Sequence, residues 1–302
     1  MHQSFLPCKY PIICAPMNQV SDLTLALAVH NAGCMPSLVI PNYTSFGIAF
    51  HADKFEHDLL AIREQTGACN LLLALEIEDF YRPNLLALII EYGVTHIELL
   101  NLYPARVISD PRAQKNLELL KSTNVVITCK LVNVTDLSKL VDYLDAVTIK
   151  GPDAASRVST IPVALVDKIH QLSQRFPTVK IIASGGISDA DDIDYYLSHG
   201  ASAVSLGTVF AMSAESAISV ATKTKMIAST FADTVKIGIF NQTSLQFSKV
   251  ESTDPNNTSG LRAAISDPTV GHVFVGKAID SINSIRSVAD IVADLVAPII
   301  KL

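Results

Sequence analysis

Tryptophan is absent from this sequence, and aromatic residues fill only 6% of its 302 positions. Its core must therefore be built from aliphatic side chains. Charge is scarce too: 17% of residues are charged against 49% hydrophobic. That balance excludes a disordered chain, which stays unfolded through high charge and low hydrophobicity. The net charge is −6 and no basic block occurs, so neither a nucleic-acid backbone nor an anionic membrane is expected as the main partner. The five cysteines, Cys8, Cys14, Cys34, Cys69 and Cys129, form no CxxC pair and no Cys/His spacing suited to a metal. An odd number of thiols, four of them in or beside apolar runs, reads as reduced cysteine in a cytoplasmic protein without a metal centre. No apolar run approaches the roughly 20 residues that cross a bilayer. The opening MHQSFLPCKY has no charged start followed by a long apolar stretch, so no secretory signal is expected. What remains is a globular chain long enough for one large domain or two modest ones.

Short apolar, mostly β-branched runs recur along it, each followed by a helical pattern. The runs are Tyr10 to Ala15, Met35 to Ile40, Asn70 to Leu75, His96 to Leu100, Val125 to Cys129, Ala146 to Ile149, Lys180 to Ala183 and Ala203 to Leu206. Helices are expected from Ser21 or Asp22 to Asn31, up to Thr66, from Pro83 to Tyr92, from Asp110 to Lys121, from Thr135 to Leu144, from Pro162 to Arg175 and from Asp189 to Ser198. Gly33, Gly67 and Gly93 stand as C-terminal stops. Strands apolar on both faces suit a parallel sheet covered on both sides. Eight such units predict a (β/α)8 TIM barrel, with its active site on the loops at the strands' carboxyl ends. A doubly wound open sheet is the alternative. Beyond about residue 231 the pattern changes to FNQTSLQFSKVESTDPNNTSGLRA, polar and rich in Asn, Ser and Thr. This segment is expected to form loops and short helices, followed by an apolar stretch from Val270 and a terminal helix from Ile285 to Leu295. Residues 1–230 are thus read as the barrel core of a single domain, and 231–302 as an extension packed over its mouth.

One stretch carries chemistry: KIIASGGISDADDIDYYLSHGASAVSLGTVFAM, Lys180 to Met212. It reads strand, Gly turn, helix, strand, Gly turn, helix. Consecutive parallel strands place both turns, Gly185–Gly186 and Gly207–Thr208, at the same end of the sheet. Backbone N–H groups there suit a phosphate, and glycine lets the oxygens approach. One such Gly pair alone is ordinary loop punctuation; two successive ones point to an anion site.

Together with PIICAPM near the start and NLLLAL after Cys69, this stretch resembles the nitronate monooxygenase family, formerly 2-nitropropane dioxygenases, which is related to flavin enoyl-ACP reductases. The resemblance covers Pro11 to Met226 and resumes from Val270 to Val296. It implies FMN as cofactor, a small-molecule substrate and an oxidoreductase activity. It further implies that Ala15, Pro16 and Met17 run along the flavin ring, that Asn70 addresses it, and that Gly185, Gly186, Gly207 and Thr208 hold its phosphate. Lys130 after the fifth strand or Lys150 after the sixth would set a cation near the flavin's N1–C2=O edge, where reduction accumulates negative charge. Surface helices allow a homodimer, although no stripe singles out an interface.

The chain departs from the family where a Gly-x-Glu-Ala-Gly-Gly-His loop is usual. Here GPDAASR keeps Gly151, Asp153 and Ala154, but Ala155 and Ser156 replace the glycines and Arg157 replaces the histidine. Arginine stays protonated and cannot act as a base. Arg157 is then a candidate for binding an anionic substrate or the flavin's edge, and Asp153 a candidate base. Two further readings stay open: a non-flavin phosphate-binding lyase or isomerase using a Schiff-base lysine, and a catalytically weakened flavin-binding protein. Of the histidines, only His272 is placed to overhang the mouth.

Overall fold

The structure, a computed structural model, describes residues 5–45, 49–82, 84–100, 110–135, 137–238, 241–248 and 258–297. Eight parallel strands form one sheet: Ile12–Cys14, Ser37–Val39, Leu72–Leu75, His96–Leu99, Val126–Leu131, Ala146–Lys150, Lys180–Ser184 and Ala203–Leu206. Taken in chain order they are the first to eighth strands; each of the third to eighth pairs with its predecessor, and the first pairs with the eighth. A parallel bridge between Ile13 and Met35 joins the first strand to the second. The amides of Cys14 and Met35 donate to Met35 and Ile12 carbonyls at 2.9 Å each, and the sheet closes into the expected (β/α)8 barrel.

Alternation along the strands divides the side chains in two. Ile97, Leu99, Ile127, Cys129, Val147, Ile149, Ile181, Ala183, Val204 and Leu206 belong to the large core between barrel and helices. Ile13, Met35, Leu72, Ala146, Ile182 and Ala203 form a second, smaller core with Leu6. Leu72, Ala146 and Ala203 each begin a strand, so this inner cluster fills the barrel at the amino ends. The chain's N-terminal segment plugs that end, with Phe5 packed on the cluster and its carbonyl 3.2 Å from His96 Nε2. Burial pushes the His96 pKa down to about 4, so the imidazole is a neutral part of the floor, at the wrong end for catalysis.

The helices Leu23–Asn31, Ala52–Thr66, Leu85–Glu91, Pro111–Ser122, Leu165–Arg175 and Ala190–Ser198 surround the barrel. Asp22, Asp110 and Asp189 cap three of them through side-chain acceptors, each worth about 1 kcal/mol. Gly67 ends the second helix in the left-handed conformation at φ +78°. Pro83, expected to open the third helix, lies outside the described residues, and the helix is seen from Leu85 behind Asn84 at φ +65°. The fifth-position helix differs from expectation. Residues 138–143 form turns, with Leu140, Tyr143 and Leu144 amides bonded three residues back. Leu137, Leu140 and Leu144 are still buried, so the apolar spacing faces the core although the segment forms tight turns in place of the expected helix. The helix expected from Pro162 starts instead at Leu165, behind Ala164, which offers no side-chain cap.

The segment beyond the eighth strand differs most. Within the polar region expected to be loops, Val235–Ile237, Gln242–Gln246 and His272–Phe274 form an antiparallel sheet. Ser156–Arg157, from the loop after the sixth strand, pairs with Thr243 and Gln242 on its edge. Helix Thr258–Ser266 packs on this sheet, and helix Val288–Val296 packs between the first barrel helix and Ala190–Ser198. The extension thus covers the mouth with strands and closes the helical ring with its terminal helix. Gln242, Thr243 and Ser244 are buried, which is why a polar sequence concealed a strand. Among the described residues no helix is long and apolar enough to cross a membrane, and all five cysteines are free thiols.

Candidate active site

The two Gly turns lie side by side. Ser184 and Ser205 are register partners, so the chain leaves neighbouring strands at Gly185–Gly186 and at Gly207. Gly185 and Gly186 have φ of +107° and +78°. A Cβ on Gly185 would lie 2.6 Å from the Ala154 Cβ, and one on Gly186 would lie 2.9 Å from the Asp153 Cβ. Both dihedral and space therefore demand glycine. Among the described residues, the amides of Gly186, Ile187, Thr208 and Val209 have no hydrogen-bond acceptor. Unpaired amides on two adjacent turns supply donors suited to an anion. Thr208 Oγ1 accepts from the Gly276 amide at 3.0 Å, which leaves its O–H available to donate.

The end of the first strand completes this group. The Ala15 amide donates to the Leu206 carbonyl at 2.9 Å. Ala15 Cβ and Met17 Sδ lie 3.7 and 3.8 Å from the position a Cβ on Gly207 would take, so Ala15, Pro16 and Met17 run beside the second turn. On the other side, the Gly151 amide donates to the Ser184 carbonyl at 2.8 Å, tying the loop after the sixth strand to the first turn. The Asp153 carbonyl accepts from the Lys277 amide at 2.9 Å, and its carboxylate lies 3.7 Å from Lys277 Nζ with both groups about half exposed. That ion pair contributes little. Ser156 is held at φ +57°, a conformation that suits the glycine it replaces. Asn70 does not join the group. It precedes the third strand, Leu72–Leu75, at the amino end of the barrel, opposite both Gly turns.

A charged cluster lies inside the barrel. The inward positions are Glu98 on the fourth strand, Thr128 and Lys130 on the fifth, and Thr148 and Lys150 on the sixth. Glu98 is fully buried; its Oε1 accepts from Thr148 Oγ1 at 2.6 Å, and its Oε2 lies 2.6 Å from Lys130 Nζ. Lys150 donates instead to the Ala155 carbonyl at 2.7 Å. Burial, then the Lys130 cation, lower the Lys150 pKa to about 7, with Glu98 opposing and Arg157 and Lys236 adding to the fall. The neutral amine is thus accessible near neutral pH. Sequence reasoning missed Glu98 and Thr148. Their signal was a polar residue at every second position inside otherwise apolar runs, HIEL and AVTIK. His272 is buried in the covering sheet with Nε2 unpartnered, its ring 5.2 Å from that of Phe274. Burial pushes its pKa down to about 4.

Residues 1–298 match the family described as nitronate monooxygenase. The chain belongs to the nitronate monooxygenase family. By that membership it is a flavin-dependent oxidoreductase with FMN as its cofactor, and the unpaired amides of the two Gly turns fit a phosphate group. Solved structures show the same fold at low identity. FabK from Thermotoga maritima is 22% identical, with 98% of this chain and 94% of that one covered and a TM-score of 0.77. A nitroalkane oxidase from Streptomyces ansochromogenes is 17% identical, with 97% of each chain covered and a TM-score of 0.71. The enoyl reductase domain of MlnA from Bacillus amyloliquefaciens is 13% identical, with 78% of this chain and 63% of that one covered and a TM-score of 0.58. No curated protein matches the chain.

Proposed function

We propose that this family member is an FMN-dependent oxidoreductase of small molecules whose organic substrate has diverged from nitronates. The observation that carries the cofactor site is the set of unpaired amides on the Gly185–Gly186 and Gly207–Thr208 turns. In this reading the turns at Gly185, Gly186, Gly207 and Thr208 hold the FMN phosphate, with the amides of Gly186, Ile187, Thr208 and Val209 as donors, and Ala15, Pro16 and Met17 border the ring. Gly151 fixes the loop beside it, and Lys130 supplies a cation from the barrel interior. FMN when bound supplies the two-electron redox chemistry; the protein orients it and tunes its charge.

Divergence of the substrate follows from the loop after the sixth strand. Arg157 stands where the family pattern has histidine, and Ser156–Arg157 is paired into the covering sheet. A guanidinium cannot take a proton near neutral pH, so Arg157 binds the substrate's anionic group or an electron-rich edge of the flavin. Asp153 flanks it, with Lys277 alongside. The chain acts as a cytoplasmic enzyme in keeping with its five free thiols, either as a monomer or as a homodimer through its outer helices. The test is the absorption spectrum of purified protein after addition of FMN and removal of the excess. Stoichiometric flavin absorbance is expected; a protein that remains colourless contradicts the reading.

A further inference from the structure

We propose that Lys150 is the proton-transfer residue of this site, and that Glu98 and Lys130 form the pair that positions it. The proposal rests on the flavin-enzyme reading and names the residue that replaces the missing loop histidine.

Strand geometry puts Lys150 where such a residue must be. It is the last residue of Ala146–Lys150, and alternation with the outward Val147 and Ile149 turns it into the barrel at the carboxyl end. The next residue begins the loop that carries Asp153 and Arg157, and its amine donates to that loop's Ala155 carbonyl at 2.7 Å. A neutral amine keeps two N–H bonds and can still donate to this carbonyl, although less strongly than an ammonium would.

The one fully buried carboxylate nearby is already engaged. Glu98 meets Lys130 at 2.6 Å and Thr148 at 2.6 Å, and no carboxylate is paired with Lys150 among the described residues. The Lys130 ammonium, held against Glu98, faces Lys150 and disfavours a second positive charge there. The charged groups facing Lys150 are Glu98 from the fourth strand, Lys130 from the fifth, Arg157 from the loop and Lys236 from the covering sheet. Three of the four are cations. Two lysines of one mouth thus differ in their partners: Lys130 has the Glu98 carboxylate, whereas Lys150 has, among the described residues, only a backbone carbonyl and is the group able to lose its proton.

The other candidates fit the role less well. Arg157 does not deprotonate. Asp153 faces Lys277 and is partly in solvent. Lys236 donates to Thr243 Oγ1 at 2.5 Å, and His272 lies within the covering sheet. The step is a proton transfer: the neutral Nζ lone pair takes a proton from a weakly acidic C–H of the substrate. The N–H bond forms as the C–H bond breaks, the electron pair stays on carbon, and the amine becomes an ammonium that later returns its proton to water.

The full chain, with its lysines reductively methylated with ¹³C, reads this directly by NMR titration. Lys150→Arg, which keeps size and charge, assigns the signal. We expect the Lys150 resonance to titrate near pH 7, about three units below the bulk lysines at roughly 10.4. Lys130→Met should move that titration upward by removing the neighbouring cation, and Glu98→Gln should move it downward. A Lys150 signal that titrates with the bulk lysines overturns the proposal, and the unmutated chain answers this even where a variant fails to fold. A titration near pH 7 that Lys130→Met leaves unmoved overturns the positioning role of the pair. Failure of the flavin reading is distinguishable, because it gives a colourless protein whatever Lys150 does.

Discussion

Ser156 keeps a left-handed backbone, at φ +57°, in the loop that usually places two glycines near the flavin. The backbone course has survived the loss of glycine, and the strain falls on a residue with a Cβ. Ser156→Gly should therefore be neutral to stabilising, by up to about 1 kcal/mol, measured as the denaturant midpoint; a loss of more than about 1 kcal/mol would show that the serine side chain is needed. This substitution was visible in the sequence because a motif framed it. Glu98 was harder to see: its alternation with His96 in HIEL marks one face of the strand, but a buried carboxylate runs against the apolar pattern by which strand interiors are recognised. Asn70 shows the converse. A residue-type match assigned it to the flavin, but strand direction puts it at the far end of the barrel.

Among the elements, helix Ala190–Ser198 matters most to the site because it follows the first Gly turn. Asp189 Oδ1 accepts from the Asp192 amide at 2.9 Å, and Asp192 Oδ2 accepts from the Ser188 amide at 2.8 Å. This reciprocal cap fixes the turn that holds Gly185 and Gly186 in place. Asp189→Ala should cost about 1 kcal/mol in stability and also weaken FMN binding several-fold, read by flavin fluorescence titration. A stability loss with unchanged FMN affinity would separate the cap from the cradle. Helix starts with Asp caps and glycine stops were legible in the sequence, because capping chemistry is local. The covering sheet was not, because its strand Gln242–Gln246 buries polar side chains over the mouth, the reverse of the apolar pattern by which strands are recognised.

At the scale of the whole molecule, the barrel separates stability from chemistry. The amino end is packed with Leu6, Met35, Leu72 and Ile182, each buried aliphatic side chain contributing about 1.5–3 kcal/mol. The carboxyl end collects the Gly turns, the charged cluster and the covering sheet. Repetition made this architecture readable, since eight strand–helix units suit a closed barrel, with an open doubly wound sheet as the alternative. The pairing of Ser156–Arg157 with a strand some 85 residues later in the chain was not readable, because no local pattern announces a contact at that separation. The central claim is that the two Gly turns hold a phosphate, and comparison of FMN with riboflavin, which lacks that phosphate, tests it most directly. Charge-assisted bonds to several amides predict at least a roughly 100-fold tighter Kd for FMN by fluorescence titration, equivalent to about 2.7 kcal/mol; equal affinity for the two flavins would contradict the account.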